Sequence, residues 1–284
     1  SSLLPESYTV TGEGYRWKNV GVMSNKGIEL SADADVIRTK DFTWNVSANV
    51  SYNQNRLKEL YNGVTEYVNS TTGLKYVVGH SVSEFFLNRY AGVNPANGEQ
   101  LWYDKNGNVT NEFRESDKVM TGKTYDAPWM GGFGTSFRWK GLQLSAQFSW
   151  IGTRYVINND RYFEEGGVTF GTAYNQSRRV LYNRWKNPGD ITDIPKWGEV
   201  NQLDDRYLEN ASFLRLKNLS LSYSLPQAWL SKTKFFTLVR IYAQAQNLFT
   251  ITGFNGLDPE VSSNVYQAQY PASRQFTLGM EVSF

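Results

Sequence analysis

The chain has 284 residues, with 29 Lys and Arg against 27 Asp and Glu, one His, no Cys and 15% aromatic residues. Balanced charge gives no case for nucleic acid, and the lack of Cys excludes disulfides, thiolate metal sites and Cys nucleophiles within it. Mean hydropathy is −0.50, and no apolar run approaches the ~20 residues of a transmembrane helix, but alternating lipid- and lumen-facing residues let a β-barrel escape that test.

In chain order, Ser1-Ser2-Leu3-Leu4-Pro5 lacks the basic and apolar regions of a leader peptide, which reads as part of a mature chain. Gly27 to Val36 then alternates Ile28, Leu30, Ala32 and Ala34 against Glu29, Ser31, Asp33 and Asp35. After the polar turn Arg38-Thr39-Lys40-Asp41, Phe42 to Tyr52 alternates Phe42, Trp44, Val46, Ala48, Val50 and Tyr52 against Thr43, Asn45, Ser47, Asn49 and Ser51. Period-2 patterning on both sides of a tight turn predicts a β-hairpin. Aromatics at both ends of the second strand, with small aliphatics between, match the order expected across a bilayer.

Residues 56–82 read as a loop, Glu84 to Gly92 as a strand, Asn94 to Gly98 as a turn and Gln100 to Asp104 as a short strand. Gly131 to Trp139 and Leu142 to Ile151 form a second hairpin about Lys140-Gly141. Residues 152–211 show no sustained period and read as one long ordered loop, rich in Trp and Tyr. Phe213 to Leu225 and Phe235 to Phe249 are further strands, the first changing phase near Asn218, which predicts a bulge. The last strand sets Phe276, Leu278, Met280, Val282 and Phe284 against Gln275, Thr277, Gly279, Glu281 and Ser283. This pattern resembles the assembly signal of outer-membrane barrels.

Short connections at 37–41, 93–98, 140–141 and 226–234 thus alternate with long ones at 56–82, 105–130, 152–211 and 250–274. Short periplasmic turns and long extracellular loops are the barrel rule. The expected fold is all-β, an antiparallel transmembrane β-barrel portion of about nine strands. Single-chain bacterial barrels close on even strand numbers, so the chain reads as part of a larger one.

Several segments together resemble the SusC/RagA family of TonB-dependent outer-membrane transporters of Bacteroidota. They are Asn25 to Leu30, Trp44 with Asn49 to Asn55, Gly92 to Gly98, Arg184 to Asp190, Ser212 to Leu219, Gln246 to Phe249, Gly256 to Glu260 and Tyr270-Pro271. Each is weak alone; their order across nearly the whole chain carries the resemblance. It implies that residues 1–284 are the C-terminal part of a barrel of about 22 strands, with no plug domain recognised in this chain. It also implies import of glycan oligosaccharides or peptides, and as partners the remaining N-terminal barrel and plug, a SusD-like surface lipoprotein, TonB acting through the plug, and the outer membrane.

No catalytic constellation is found, so a non-enzyme is expected, with no cofactor and no metal. His80 is the only histidine, which leaves no His-based triad or two-His metal site. Asp204-Asp205 and Asp258-Pro259-Glu260 could offer oxygens to Ca²⁺ but lack the EF-hand spacing; caps, turns or ion pairs account for them better. Gly131-Gly132-Phe133-Gly134 lacks the Lys-Ser/Thr of a phosphate loop and reads as a tightly packed strand start. The substrate-binding candidates are Trp102, Tyr103, Trp129, Tyr155, Tyr162, Tyr174, Trp185, Trp197 and Tyr207, whose flat faces suit sugar C–H surfaces or peptide side chains. The alternative for each is to staple a loop or sit in the upper aromatic girdle. The rival for the whole chain is a soluble β-sandwich, a glycan-binding or adhesin module, which would also use alternating strands and aromatics.

Overall fold

The computed structural model describes residues 2–6, 16–68, 73–166 and 175–284. Its frame is one nine-stranded antiparallel sheet. In chain order the strands are β1 (Ser2–Glu6), β2 (Arg16–Arg38), β3 (Phe42–Leu60), β4 (Trp129–Trp139), β5 (Leu142–Gly152), β6 (Phe213–Ser224), β7 (Leu238–Gln246), β8 (Thr250–Thr252) and β9 (Gln275–Ser283). Each pairs with the next along the path β1-β2-β3-β4-β5-β6-β7-β9, and β8 continues the line of β7 along β6.

The register joins the alternating patterns into two continuous faces. Across one row run Ile37, Trp44, Phe137, Leu144, Leu221, Ala243 and Leu278, each opposite the next. The next row on the other face runs Thr43, Arg138, Gln143, Ser222, Tyr242 and Gly279. A one-residue slip would invert these faces, so the period-2 sequence fixes the pairing. The apolar face is bare: Ile28 is 66% exposed, Phe276 73% and Leu278 80%. A β-sandwich buries that face beneath a second sheet. Here it is open along the wall, as a lipid-facing surface must be.

Aromatics border the band. Trp129 packs at a tilt on Tyr52 at one end, ring centroids 4.6 Å apart, and Trp44 stacks on Phe137 at the other, 5.7 Å apart. Thr135 is the one hydroxyl in the apolar row of β4, and it accepts the Trp44 indole N–H at 2.9 Å. That bond satisfies a donor that lipid could not. Gly131 permits close strand approach, since a Cβ there would lie 2.3 Å from the Asn49 carbonyl oxygen. The Gly131 to Gly134 run therefore belongs to strand β4. The bulge expected near Asn218 is present: Asn218 opposes Gln147, Leu216 opposes Phe148, and Lys217 is the extra residue.

Two strands expected in the wall are not there. Glu84–Leu87 pairs with Val119–Thr124, and Arg89–Val93 pairs with Gln100–Tyr103 and then Val109–Thr110, in small sheets apart from the wall. The turn at 93–98 is therefore internal to one long excursion between β3 and β4, not a reversal at the short-turn end. Their few residues fit this, since a tilted wall strand needs about 9–11. The wall reaches nine by other members, β1 and the separate β8. Strand β3 runs on to Leu60 and β2 spans Arg16–Arg38, so both project past the aromatic border, β3 into residues that read as loop by composition. With the excursion counted as one, short connections (39–41, 140–141 and 225–237) alternate with long ones (61–128, 153–212 and 253–274).

Candidate functional site

The three long connections fold on one another. Leu74, Phe85 and Leu87 of the first meet Ile157, Tyr207 and Leu208 of the second in one buried cluster. Val156 and Ala211 of the second meet Phe254, Val261 and Tyr266 of the third in another. A short three-stranded sheet ties the same pieces, Tyr155–Asn158 running antiparallel to Leu208–Asn210 and parallel to Val265–Tyr266. Each large side chain so buried contributes roughly 1.5–3 kcal/mol, which holds the described parts of these loops together.

Buried ion pairs lock the assembly. Asp204, fully buried, accepts from the Trp102 indole at 2.8 Å and from the Arg206 guanidinium at 2.9 Å. Asp205 caps the adjoining strand by accepting the Tyr90 backbone N–H at 2.8 Å; burial pushes its carboxyl up from 3.8. Burial also raises the Tyr207 phenol to about 12. Arg161 on α1 (Asn159–Glu165) holds Glu165 at 3.1 Å and Glu209 at 2.6 Å. Arg179 on α2 (Arg178–Asn183) reaches both Glu165 and Asp193. Among the described residues no cluster of three or more His, Asp or Glu side chains is placed to hold a metal ion.

The sequence segments that carry the family resemblance meet in pairs. Gly98, at φ 76°, lies beneath Trp185, where a Cβ would stand 2.5 Å from the ring. Trp185 donates to the Pro95 carbonyl at 3.1 Å, and the Gly189 N–H reaches the same oxygen at 2.8 Å. Arg215 binds Asp258 at 2.5 Å and Glu260 at 2.8 Å, and Lys217 binds Glu260 at 2.8 Å. Asn247 N–H donates to the Lys217 carbonyl at 3.1 Å, and Asn25 joins Asn55 at 2.7 Å. These short motifs are the latches between loops, and between loops and wall.

Where the loops meet the polar face they leave two adjoining recesses of about 670 Å³ each, both reaching Met130. The first is lined by Asn53, Asn55, His80, Ser81, Glu84 and Asp126, the second by Glu29, Ser31, Asn49, Ser149, Lys217 and Glu260. His80 spends its Nδ1 on Glu84 at 2.9 Å, and Glu84 also takes the Gly122 N–H at 2.8 Å. The Ser149 hydroxyl is buried without a partner. Amides, hydroxyls and carboxylates of this kind can hold a polar oligomer through several directed hydrogen bonds. Apart from His80 and Glu260, weighed above only as metal or catalytic candidates, these lining residues are not among those the sequence singles out. The available signal is the unbroken polar run Asn53-Gln54-Asn55-Arg56 that follows Tyr52.

The expected aromatics are distributed otherwise. Trp102 and Tyr207 are buried in the loop core. Tyr103 packs on Arg89, Tyr155 faces Lys123, and Tyr162 stands edge-on to Tyr207. Trp185 is clasped as above, and Trp129 borders the lipid face. Trp197 is 59% exposed with the Arg184 guanidinium 5.0 Å above its ring. Tyr174 lies outside the described residues.

Structurally, then, the chain is a stretch of transmembrane β-barrel wall carrying a packed loop assembly at one end. No protein-family profile matches it. The curated TonB-dependent receptor SusC of Bacteroides thetaiotaomicron is 31% identical over 94% of this chain and 27% of its own length. TonB-dependent receptor P3 of Formosa agariphila is 28% identical over 99% of this chain and 30% of its own. A solved structure of the RagAB peptide transporter aligns over 97% of this chain and 31% of its own, with 37% identity and a TM-score of 0.88. One of the RagAB peptide importer in an open-open state gives 36% identity and 0.91. By sequence and by fold the chain is homologous to one portion of SusC/RagA-type TonB-dependent receptors, spanning about three-tenths of the relatives it matches.

Proposed function

We propose that this chain forms barrel wall and substrate- and lid-facing loops of a TonB-dependent importer of glycan oligosaccharides or peptides in the outer membrane of a Bacteroidota-type bacterium. The observation that carries the reading is the pair of polar recesses between the loop assembly and the polar face of the wall. The sheet edges at β1 and β9 suit pairing with the rest of the barrel, which would bring the plug and through it TonB. The loops at 61–128, 153–212 and 253–274 are then extracellular, and their outer surface would meet a SusD-like lipoprotein. No side chain is assigned to bond-making chemistry; the role is passage and recognition.

The family resemblance implies oligosaccharide or peptide cargo, the RagAB neighbour is named a peptide transporter, and the recess chemistry suits either. The test is binding of defined peptide and oligosaccharide pools to the intact receptor, with bound species identified by mass spectrometry. Enrichment of one pool, reduced in Glu29→Gln and Asp126→Asn, supports the reading and chooses the cargo. Retention of neither pool would refute it.

A further inference from the structure

The connection from β6 to β7 differs from the other two at the short-turn end. Thr39–Asp41 and Lys140–Gly141 are tight reversals, whereas residues 225–237 include α3 (Gln227–Thr233). Leu230 of α3 packs inward at 3% exposure, while its neighbour Trp229 is 61% exposed. Lys234 ends the helix at φ 53°, and the chain turns so that Phe235 and Phe236 meet Phe284, ring centroids 5.0 and 5.7 Å apart. Phe235, Phe284 and Trp139 are exposed as well. Next to Trp139, the Lys140 ammonium stands 5.5 Å from the Trp139 ring centre.

These aromatics continue the bare apolar band, since β4 ends at Trp139 and β9 carries Met280 and Val282 just before Phe284. Exposed aromatics beside lysines are unfavourable in water but suited to a membrane interface, where rings sit at the acyl boundary and ammonium groups reach outward. Charge agrees: the three connections hold Lys40, Lys140, Lys232 and Lys234 against one acid, Asp41. Among the described residues none of the four lysines forms an ion pair.

We propose that α3 and its flanking turns bind a phospholipid leaflet: Trp229, Phe235 and Phe284 enter the acyl boundary, and Lys140, Lys232 and Lys234 hold the headgroup phosphates of anionic phospholipid. The wall is thereby fixed in depth at its short-turn end, independently of what it transports.

The test uses the intact receptor in vesicles of phosphatidylcholine, with and without phosphatidylglycerol. Acyl-brominated phosphatidylcholine quenches an emission component that is absent in Trp229→Phe. Lipids retained by the purified receptor are enriched in phosphatidylglycerol, and Lys232→Gln with Lys234→Gln lowers that enrichment about fivefold per lysine. These lysine replacements lie on the exposed surface, so they report on binding even if the tryptophan variant does not fold. Phosphatidylglycerol enrichment unchanged in the lysine variants would overturn the proposal, as would equal quenching with and without Trp229.

Discussion

At the scale of single residues, the side chains that order the loops are charged ones buried in matched sets. Asp204 serves two donors that are nearly shut off from water, the Trp102 indole and the Arg206 guanidinium. Replacing one member of such a set leaves the rest buried and unpaired, which costs about 3–5 kcal/mol. Asp204→Ala should therefore speed hydrogen exchange in 84–124 and 205–210 while sparing the wall strands. Asp258 supplies a pH dependence. Burial pushes its carboxyl up, but hydrogen bonds from the Ala272 and Glu260 N–H groups and from Arg215 outweigh this and hold it below 3.8. A carboxyl depressed by folding stabilises fully above its unfolded value and loses that contribution as pH falls through the folded one. The 253–274 loop should stay latched at pH 6 and loosen below about pH 4, read as faster proteolysis there. Asp258→Asn should loosen it at both pH values.

At the scale of elements, each wall strand keeps lipid on one side and polar lumen on the other, so neighbouring positions respond oppositely to charge. Ala48 lies in the apolar row of β3 and Ser47 in the polar row beside it. Ala48→Arg should cost about 2–4 kcal/mol near the bilayer midplane and Ser47→Arg close to none, measured by unfolding in lipid vesicles. The same periodicity made most wall strands legible from the residues: Phe42 to Tyr52, both strands about Lys140-Gly141 and Gln275 to Ser283 lie where alternation predicts, and the Lys217 bulge shows as a phase change. Placement of the short strands was not legible. Glu84–Leu87 and Gln100–Tyr103 pair beyond the wall, and nothing in a run of four residues distinguishes a wall partner from a loop partner. The recess was harder still to read. Asn53 and Asp126 in one recess, and Glu29 and Glu260 in the other, are far apart in sequence and meet only through sheet register and loop packing.

At the scale of the molecule, the account joins a wall with a bare apolar face, three long loops with a common core, and polar recesses where the two meet. Its central claim is that the wall spans a membrane with Thr, Asn, Ser and Gln toward water. The chain contains no Cys, so single cysteines can be introduced one at a time along β3, β5 and β9. The most direct measurement is their labelling by a membrane-impermeant thiol reagent in the intact receptor, held in lipid. Cysteines at Asn49, Ser145 and Thr277 should react, and those at Ala48, Leu144 and Leu278 should stay protected. Equal labelling of both sets would contradict the membrane-spanning wall.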